Sequence, residues 1–201
     1  MPDLETVSAS LREKGFAVSC FDTAEEAAAY LDGEIDGVSV GFGGSMTLQE
    51  MGLYERLKSH NRAFWHWLPE DCPGQDARTA AAGTEVYLTS VNALAETGEI
   101  INIDGAGNRV SSELYGHKKV YLVVGENKIA PDCDAALFRA RNVAAPKNAQ
   151  RLGRKTPCAA KGDRCYDCKS PERICRALTV LWEAPTCCAY EVVLIREALG
   201  Y

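Results

Sequence analysis

Gly37-Val38-Ser39-Val40, running into Gly41-Phe42-Gly43-Gly44-Ser45-Met46-Thr47, is the stretch on which the fold turns. The first four residues read as a short buried strand. The glycines that follow end it, because they bring no side chain to pack and allow the backbone a tight reversal. Thr47 with Glu50 predicts a capping box and a helix to about His60. Ala63 to Trp67 then reads as the next strand. A strand–loop–helix–strand unit of this kind predicts a parallel pair, because parallel neighbours need a crossover.

The same alternation extends outward. Leu4, Val7 and Leu11 share a helical face that Gly15 terminates. Phe16 to Phe21 reads as a strand, and Thr23 with Glu26 caps a helix from Ala24 to Leu31. Further strands are predicted at 85–90, 99–103, 120–124, 177–182 and 192–195. A turn falls at 104–108, and a helix at 135–151 is broken near Pro146. The pattern predicts one α/β domain over residues 1–201. It is an open, mostly parallel sheet with helices on both faces, carrying a cysteine-rich segment at about 156–176. Ligands of such sheets sit beyond the carboxyl ends of the strands, here the loops 41–47, 104–108 and 125–128.

Composition narrows the class. Apolar residues make up 46% and charged residues 25% of the 201, as in globular domains, and the net charge is −6. That balance argues against a nucleic-acid-coating surface, although Arg139 to Arg154 is a locally basic stretch that could meet an anion. No run is long and apolar enough for a membrane span, and Met1-Pro2-Asp3-Leu4-Glu5 is unlike a signal peptide. The expected location is therefore a reducing cytoplasm, where disulfides do not persist.

Nine cysteines need an explanation in that setting. Cys20, Cys72 and Cys133 are isolated and read as small core residues. Cys158, Cys165, Cys168 and Cys175 form the spacing C-x6-C-x2-C-x6-C. Its central pair is a common bite for one ion, and four thiolates suit zinc or an iron–sulfur cluster. Neither common ferredoxin spacing is matched. Arg154, Lys155, Lys161, Arg164, Lys169, Arg173 and Arg176 surround the sulfurs and would stabilise thiolates with or without a metal. A loop of reduced cysteines and a Cys165–Cys168 redox pair are the other readings. Cys187 and Cys188 fall in a turn between the last two strands.

The remaining candidates lie near strand ends. Gly41, Gly43 and Gly44 would let the backbone approach an anion and take positive φ, with Ser45 and Thr47 as hydroxyl donors. A plain turn capped by Ser45 or Thr47 is the alternative. Asp104, Asn127 and Lys128 are further ligand-binding candidates, and Lys128 could neutralise a carboxylate or phosphate. Glu96, with Thr97 and Gly98 beside it, is a candidate catalytic carboxylate, set against a solvated loop glutamate. His60, His66 and His117 show no metal spacing or triad, and His66 reads as a packed or surface residue.

Three segments carry a family resemblance: Gly43-Gly44-Ser45-Met46-Thr47-Leu48, Ala95-Glu96-Thr97-Gly98, and the stretch from Asn142-Val143-Ala144-Ala145-Pro146 through Ser170-Pro171-Glu172-Arg173-Ile174-Cys175. Together they resemble the LUD family, named for its association with lactate utilization, over about residue 35 to the C-terminus. The resemblance implies a fold similar to the sugar-phosphate isomerases and CoA transferases. It implies a phosphate-holding role for the glycine loop and, by likeness to CoA transferases, a thioester-forming role for Glu96. It also implies a small anionic metabolite of organic-acid metabolism as ligand, with an oxidoreductase as partner protein. Whether the chain is an isomerase- or transferase-like enzyme, a redox accessory protein or a binding module with structural zinc stays open, because the fold hosts many reactions.

Overall fold

A computed structural model of the protein describes residues 2–201. The chain opens with α1 (Leu4–Glu13), β1 (Ala17–Phe21), α2 (Ala24–Glu34) and β2 (Ser39–Phe42). Helices α3 (Met46–Glu50) and α4 (Leu53–Lys58) lead to β3 (Arg62–Trp65) and α5 (Ala77–Ala82). Next come β4 (Val86–Ser90), β5 (Ala93–Ala95), β6 (Ile100–Asp104) and α6 (Asn108–Leu114). Strands β7 (Lys119–Gly125) and β8 (Ile129–Ala130) precede α7 (Cys133–Arg139), which runs through a π-helical turn (Ala140–Ala144) into α8 (Ala145–Arg151). The chain closes with α9 (Pro157–Lys161), β9 (Ala177–Leu181) and β10 (Ala189–Ile195).

Six strands form one sheet in the order β1-β10-β7-β4-β2-β3, and every pair in it is parallel. Alternation along its central strands divides the core in two. Tyr121, Val123, Val193 and Ile195 face α2, α3 and α4, whereas Val120, Leu122, Val124, Val192 and Leu194 face the other side. That other side departs from the expected helical cover. It is covered by α1 together with a second sheet, β8-β5-β6-β9, through Leu94, Ile100 and Leu181. The small sheet's outer face is in turn covered by α7 through Ala136 and by the π-helical turn through Ala140.

The second sheet arises because β5, β6 and β9 are short and antiparallel across β6. A hairpin and its neighbour can pack face to face on the main sheet but cannot join its parallel ladder. The strand expected at 177–182 therefore pairs with β6, not with the main sheet, and register sets Ala177 opposite Asp104. That pairing brings the cysteine-rich segment, which ends at Arg176, to the carboxyl end of β6.

Two helix expectations change. The helix expected from Thr47 to His60 is divided at Gly52, whose φ of +63° is left-handed. Its N-cap is Ser45, whose Oγ accepts from the Leu48 amide, so Thr47 lies inside the first turn and does not cap it. Pro146 does not break its helix. The π-helical turn just before it widens the hydrogen-bond register where a proline supplies no N–H. Of the isolated cysteines, Cys72 is buried as expected, whereas Cys20 is exposed.

Candidate functional site

A cavity of about 580 Å³ opens at the carboxyl ends of the central strands. Gly44, Ser45, Ser90, Asn92, Asp104, Arg109 and Lys128 line its floor. Its walls come from His66 and Trp67 after β3, from Arg78, from Asn148 and Arg151 on α8, and from Arg154, Arg173, Ile174 and Arg176. Six arginines and one lysine thus face two acids, Asp104 and Glu172. A cavity with that imbalance concentrates anions.

The glycine loop builds part of the floor by close packing. None of Gly41, Gly43 and Gly44 has the positive φ expected of it. A Cβ on Gly41 would lie 2.3 Å from the Ala81 carbonyl oxygen, so this glycine lets α5 press onto β2. One on Gly43 would meet Thr89 and Tyr87, and one on Gly44 would meet His66 Cε1 at 3.1 Å. Of the three, only Gly44 borders the cavity. The indole of Trp65 donates to Gly43 O and holds the loop down.

Lys128 is the most enclosed cation. It is 3% exposed, and its Nζ donates to Thr47 Oγ1 at 2.7 Å and Ser90 Oγ at 2.8 Å. The Thr47 hydroxyl donates onward to Leu199 O. Burial, with Arg139 and Arg109 nearby, pulls the Lys128 ammonium down to about 7. Arg109 is fully engaged: it donates to Ser90 O, Asn102 Oδ1, Asn92 Oδ1 and Ile103 O. It therefore fixes the floor and contributes field. Asn102 also donates to Glu113 Oε1 at 2.6 Å. Glu113 is wholly buried, and burial pushes its carboxyl up to about 7.

Other predicted residues fall into structural roles. Asp104 Oδ1 accepts from the Ala106 and Gly107 amides, shaping the 104–108 turn at the cavity rim. Asn127 accepts from Leu199 N and donates to Gly200 O, so it anchors the last residues near Lys128. Glu96, Thr97 and Gly98 form the turn of the β5–β6 hairpin. There the Glu96 amide donates to Ala130 O, and a Cβ on Gly98 would meet Lys14 and Ser10 of the α1 end. The hairpin carries these three away from the cavity while its other end delivers Asp104 to it.

The four clustered cysteines do come together. Cys158, Cys165, Cys168 and Cys175 all line a second cavity of about 240 Å³, with Leu137, Ala145, Pro146, Ala149 and Leu178 as its apolar wall. Residues 162–176 form neither helix nor strand. Among the described residues, no three His, Cys, Asp or Glu side chains sit close enough together to hold an ion as they stand. The donor chemistry nonetheless fits thiolates. The Asp167 amide donates to Cys165 Sγ at 3.4 Å, and Arg173 Nη2 donates to Cys175 Sγ at 3.3 Å. Asp167 is the one non-glycine residue with left-handed φ among the described residues, at 47°, which turns its N–H back toward Cys165.

The two cavities share Ile103, Arg173, Ile174 and Arg176. Contact is tight: a Cβ on Gly105 would lie 3.0 Å from Ile174 O, and Arg176 N donates to Asp104 O. Arg173 also donates to Cys168 O, and its Nε is buried without a partner. Cys187 and Cys188 lie by Leu114 at the amino end of β10, outside both cavities.

Several lining residues escaped the sequence reading, including His66, Arg78, Asn92 and Arg109. The signals present were the basic stretch ending at Arg154 and the basic residues around the cysteines, which supply Arg151, Arg154, Arg173 and Arg176 to the cavity. Nothing in the spacing of His66 between two tryptophans marks it. Its placement depends on the loop that leaves β3, and burial holds its imidazole below the ordinary value.

An α/β chain with a parallel six-stranded sheet and a polar cavity at the strand ends is the class that these features define. The model of the LUD domain matches residues 4–189, and the chain belongs to that family. Its fold is similar to that of a crystal structure of a DUF162 family protein from Deinococcus radiodurans. The TM-score is 0.54 at 15% identity, covering 96% of this chain and 95% of that one. No curated protein matches the chain in sequence. Among the described residues no helix is long and apolar enough to cross a membrane.

Proposed function

We propose that this LUD-family chain binds a small organic anion of lactate-type metabolism in the arginine-lined cavity, beside a thiolate-bound centre held by Cys158, Cys165, Cys168 and Cys175. The observation that carries the reading is the gathering of six arginines and the enclosed Lys128 around one cavity at the strand ends. Arg78 and Arg154 make no side-chain hydrogen bond or ion pair among the described residues, so their planar forks remain for a carboxylate or phosphate. Arg109 and Asn102 hold the floor, and Ser45, Ser90 and Asn92 supply polar groups for orientation.

For the neighbouring centre, four thiolates from one segment suit an iron–sulfur cluster or a zinc ion. An iron–sulfur cluster would supply one-electron chemistry when bound, and zinc would brace the segment. The chain's own part is to donate N–H groups to the sulfurs from Asp167 and Arg173 and to keep an apolar wall against them. An oxidoreductase partner would follow from that role. The cytoplasm is the expected setting, since these thiols need a reducing compartment. The isomerase- or transferase-like reading through Glu96 gains nothing from geometry, because Glu96 lies on the far turn of the hairpin.

Calorimetric titration with phosphate, oxalate and L-lactate tests the anion site. Micromolar to millimolar binding of at least one, weakened by salt and by Arg154→Ala, is expected. No heat from any of them would defeat the reading. Iron, sulfide and zinc analysis with a visible spectrum of anaerobically purified protein tests the centre.

A further inference from the structure

Lys128 has a feature that charge alone does not use. Its amine is enclosed, yet no carboxylate forms an ion pair with it among the described residues. An acid whose charge reaches it, Glu50, accepts instead from the Gly200 amide at 2.7 Å. Two of its tetrahedral positions are fixed by hydroxyls. Thr47 must accept from Nζ, because its own proton goes to Leu199 O. Ser90 Oγ accepts the second hydrogen, and among the described residues no acceptor takes the Ser90 proton. Among the same residues Nζ has no third partner, while Lys128 borders the cavity. In the neutral amine that third position is a lone pair. A buried lysine among cations, with its N–H bonds spent on neutral oxygens, has the arrangement of a nucleophilic amine.

We propose that Lys128 forms an imine with a small 2-oxo acid, whose carboxylate is held by the free arginine forks of the cavity. The inference rests on the anion-binding reading above and names the substrate class of that site. The Nζ lone pair attacks the carbonyl carbon to form a C–N bond. The carbonyl oxygen takes up protons, with the Ser90 hydroxyl as the adjacent donor and the two amine protons as the net source. The oxygen leaves as water, and a C=N bond replaces C=O. No oxidant or reductant enters the step. The product is a neutral imine. One proton taken up from solvent converts it to an electron-withdrawing iminium, which labilises bonds next to the former carbonyl carbon.

The test is reductive trapping on the full chain, purified without oxygen. Protein is incubated with pyruvate and sodium cyanoborohydride, digested and mapped by mass spectrometry, while calorimetry measures binding of pyruvate and oxalate. A single reduced pyruvyl adduct on Lys128 is expected, at least tenfold above any other lysine. Excess oxalate, which cannot form an imine, is expected to suppress it. Lys128→Arg removes the adduct, and Ser90→Ala slows its formation. Binding of both anions without an adduct on Lys128, or labelling spread over surface lysines and insensitive to oxalate, overturns the imine alone. Binding of neither overturns the anion-site reading and the imine with it.

Discussion

The two cavities share a wall, yet they are built from different parts of the chain by different means. The larger one is assembled from nine separate places in sequence, from Gly44 to Tyr201, and its floor is locked by a buried network of Arg109, Asn102 and Glu113. The cysteine cavity draws its sulfurs from one segment without regular structure, lying against the apolar face of α7 and α8. A rigid, hydrogen-bonded floor suits recognition of a planar anion. A loop that supplies all four sulfurs suits closure around a centre, because its backbone can adjust where a strand's cannot. Arg173 belongs to both, with one guanidinium touching a cysteine sulfur and bordering the larger cavity.

The largest effect is expected from the cysteines. Cys165→Ala combined with Cys168→Ala should reduce bound metal to background by elemental analysis, while oxalate affinity changes less than threefold. Loss of both properties together would show that the cavities do not stand apart. Arg173→Ala comes next. It should weaken anion binding about tenfold, the scale of one charge-assisted contact, and should also change the alkylation rate of Cys175. An effect confined to one cavity would remove the shared role.

The buried network gives a smaller, pH-dependent prediction. The Glu113 carboxyl is pushed up to about 7 from the ordinary 4.5, so between those values the folded state holds a proton that the unfolded chain has lost. Stability from this group is therefore lost as pH rises through that window. Glu113→Gln should flatten the fall of melting temperature across it, without changing metal content. An unaltered slope would place the proton elsewhere. The smallest effect is expected at Glu96: Glu96→Gln should leave anion affinity within twofold by calorimetry, and a larger change would return the hairpin turn to the site.

Much of the fold was legible because local signals were strong. The capping box of Thr23 and Glu26 is present as expected, and the strands over 17–21, 86–90 and 119–125 follow their apolar runs. The second sheet was not legible. Ala93 to Ala95 and Ala177 to Leu181 look locally like any short strand, and only their pairing with β6 assigns them to a separate layer. Of the sequence candidates, Gly44, Ser45, Asp104 and Lys128 line the larger cavity, and each was legible because it follows a strand end. Gly41, Gly43 and Asn127 lie outside its lining, where they allow close packing or anchor the chain. Glu96 also follows a strand, but that strand enters a hairpin whose turn points away from the cavity.

The sequence by itself determined the alternating α/β order, the strand-end loops and the grouping of four cysteines among basic residues, because each depends on neighbours within a few positions. Only the tertiary structure decided that the cysteine segment lies against the arginine-lined cavity. That placement follows from antiparallel pairing of β9 with β6, which sets Ala177 opposite Asp104 across more than seventy residues of chain. It also decided that Lys128 is enclosed without a counter-ion, because burial and charge balance are properties of what surrounds a side chain in space.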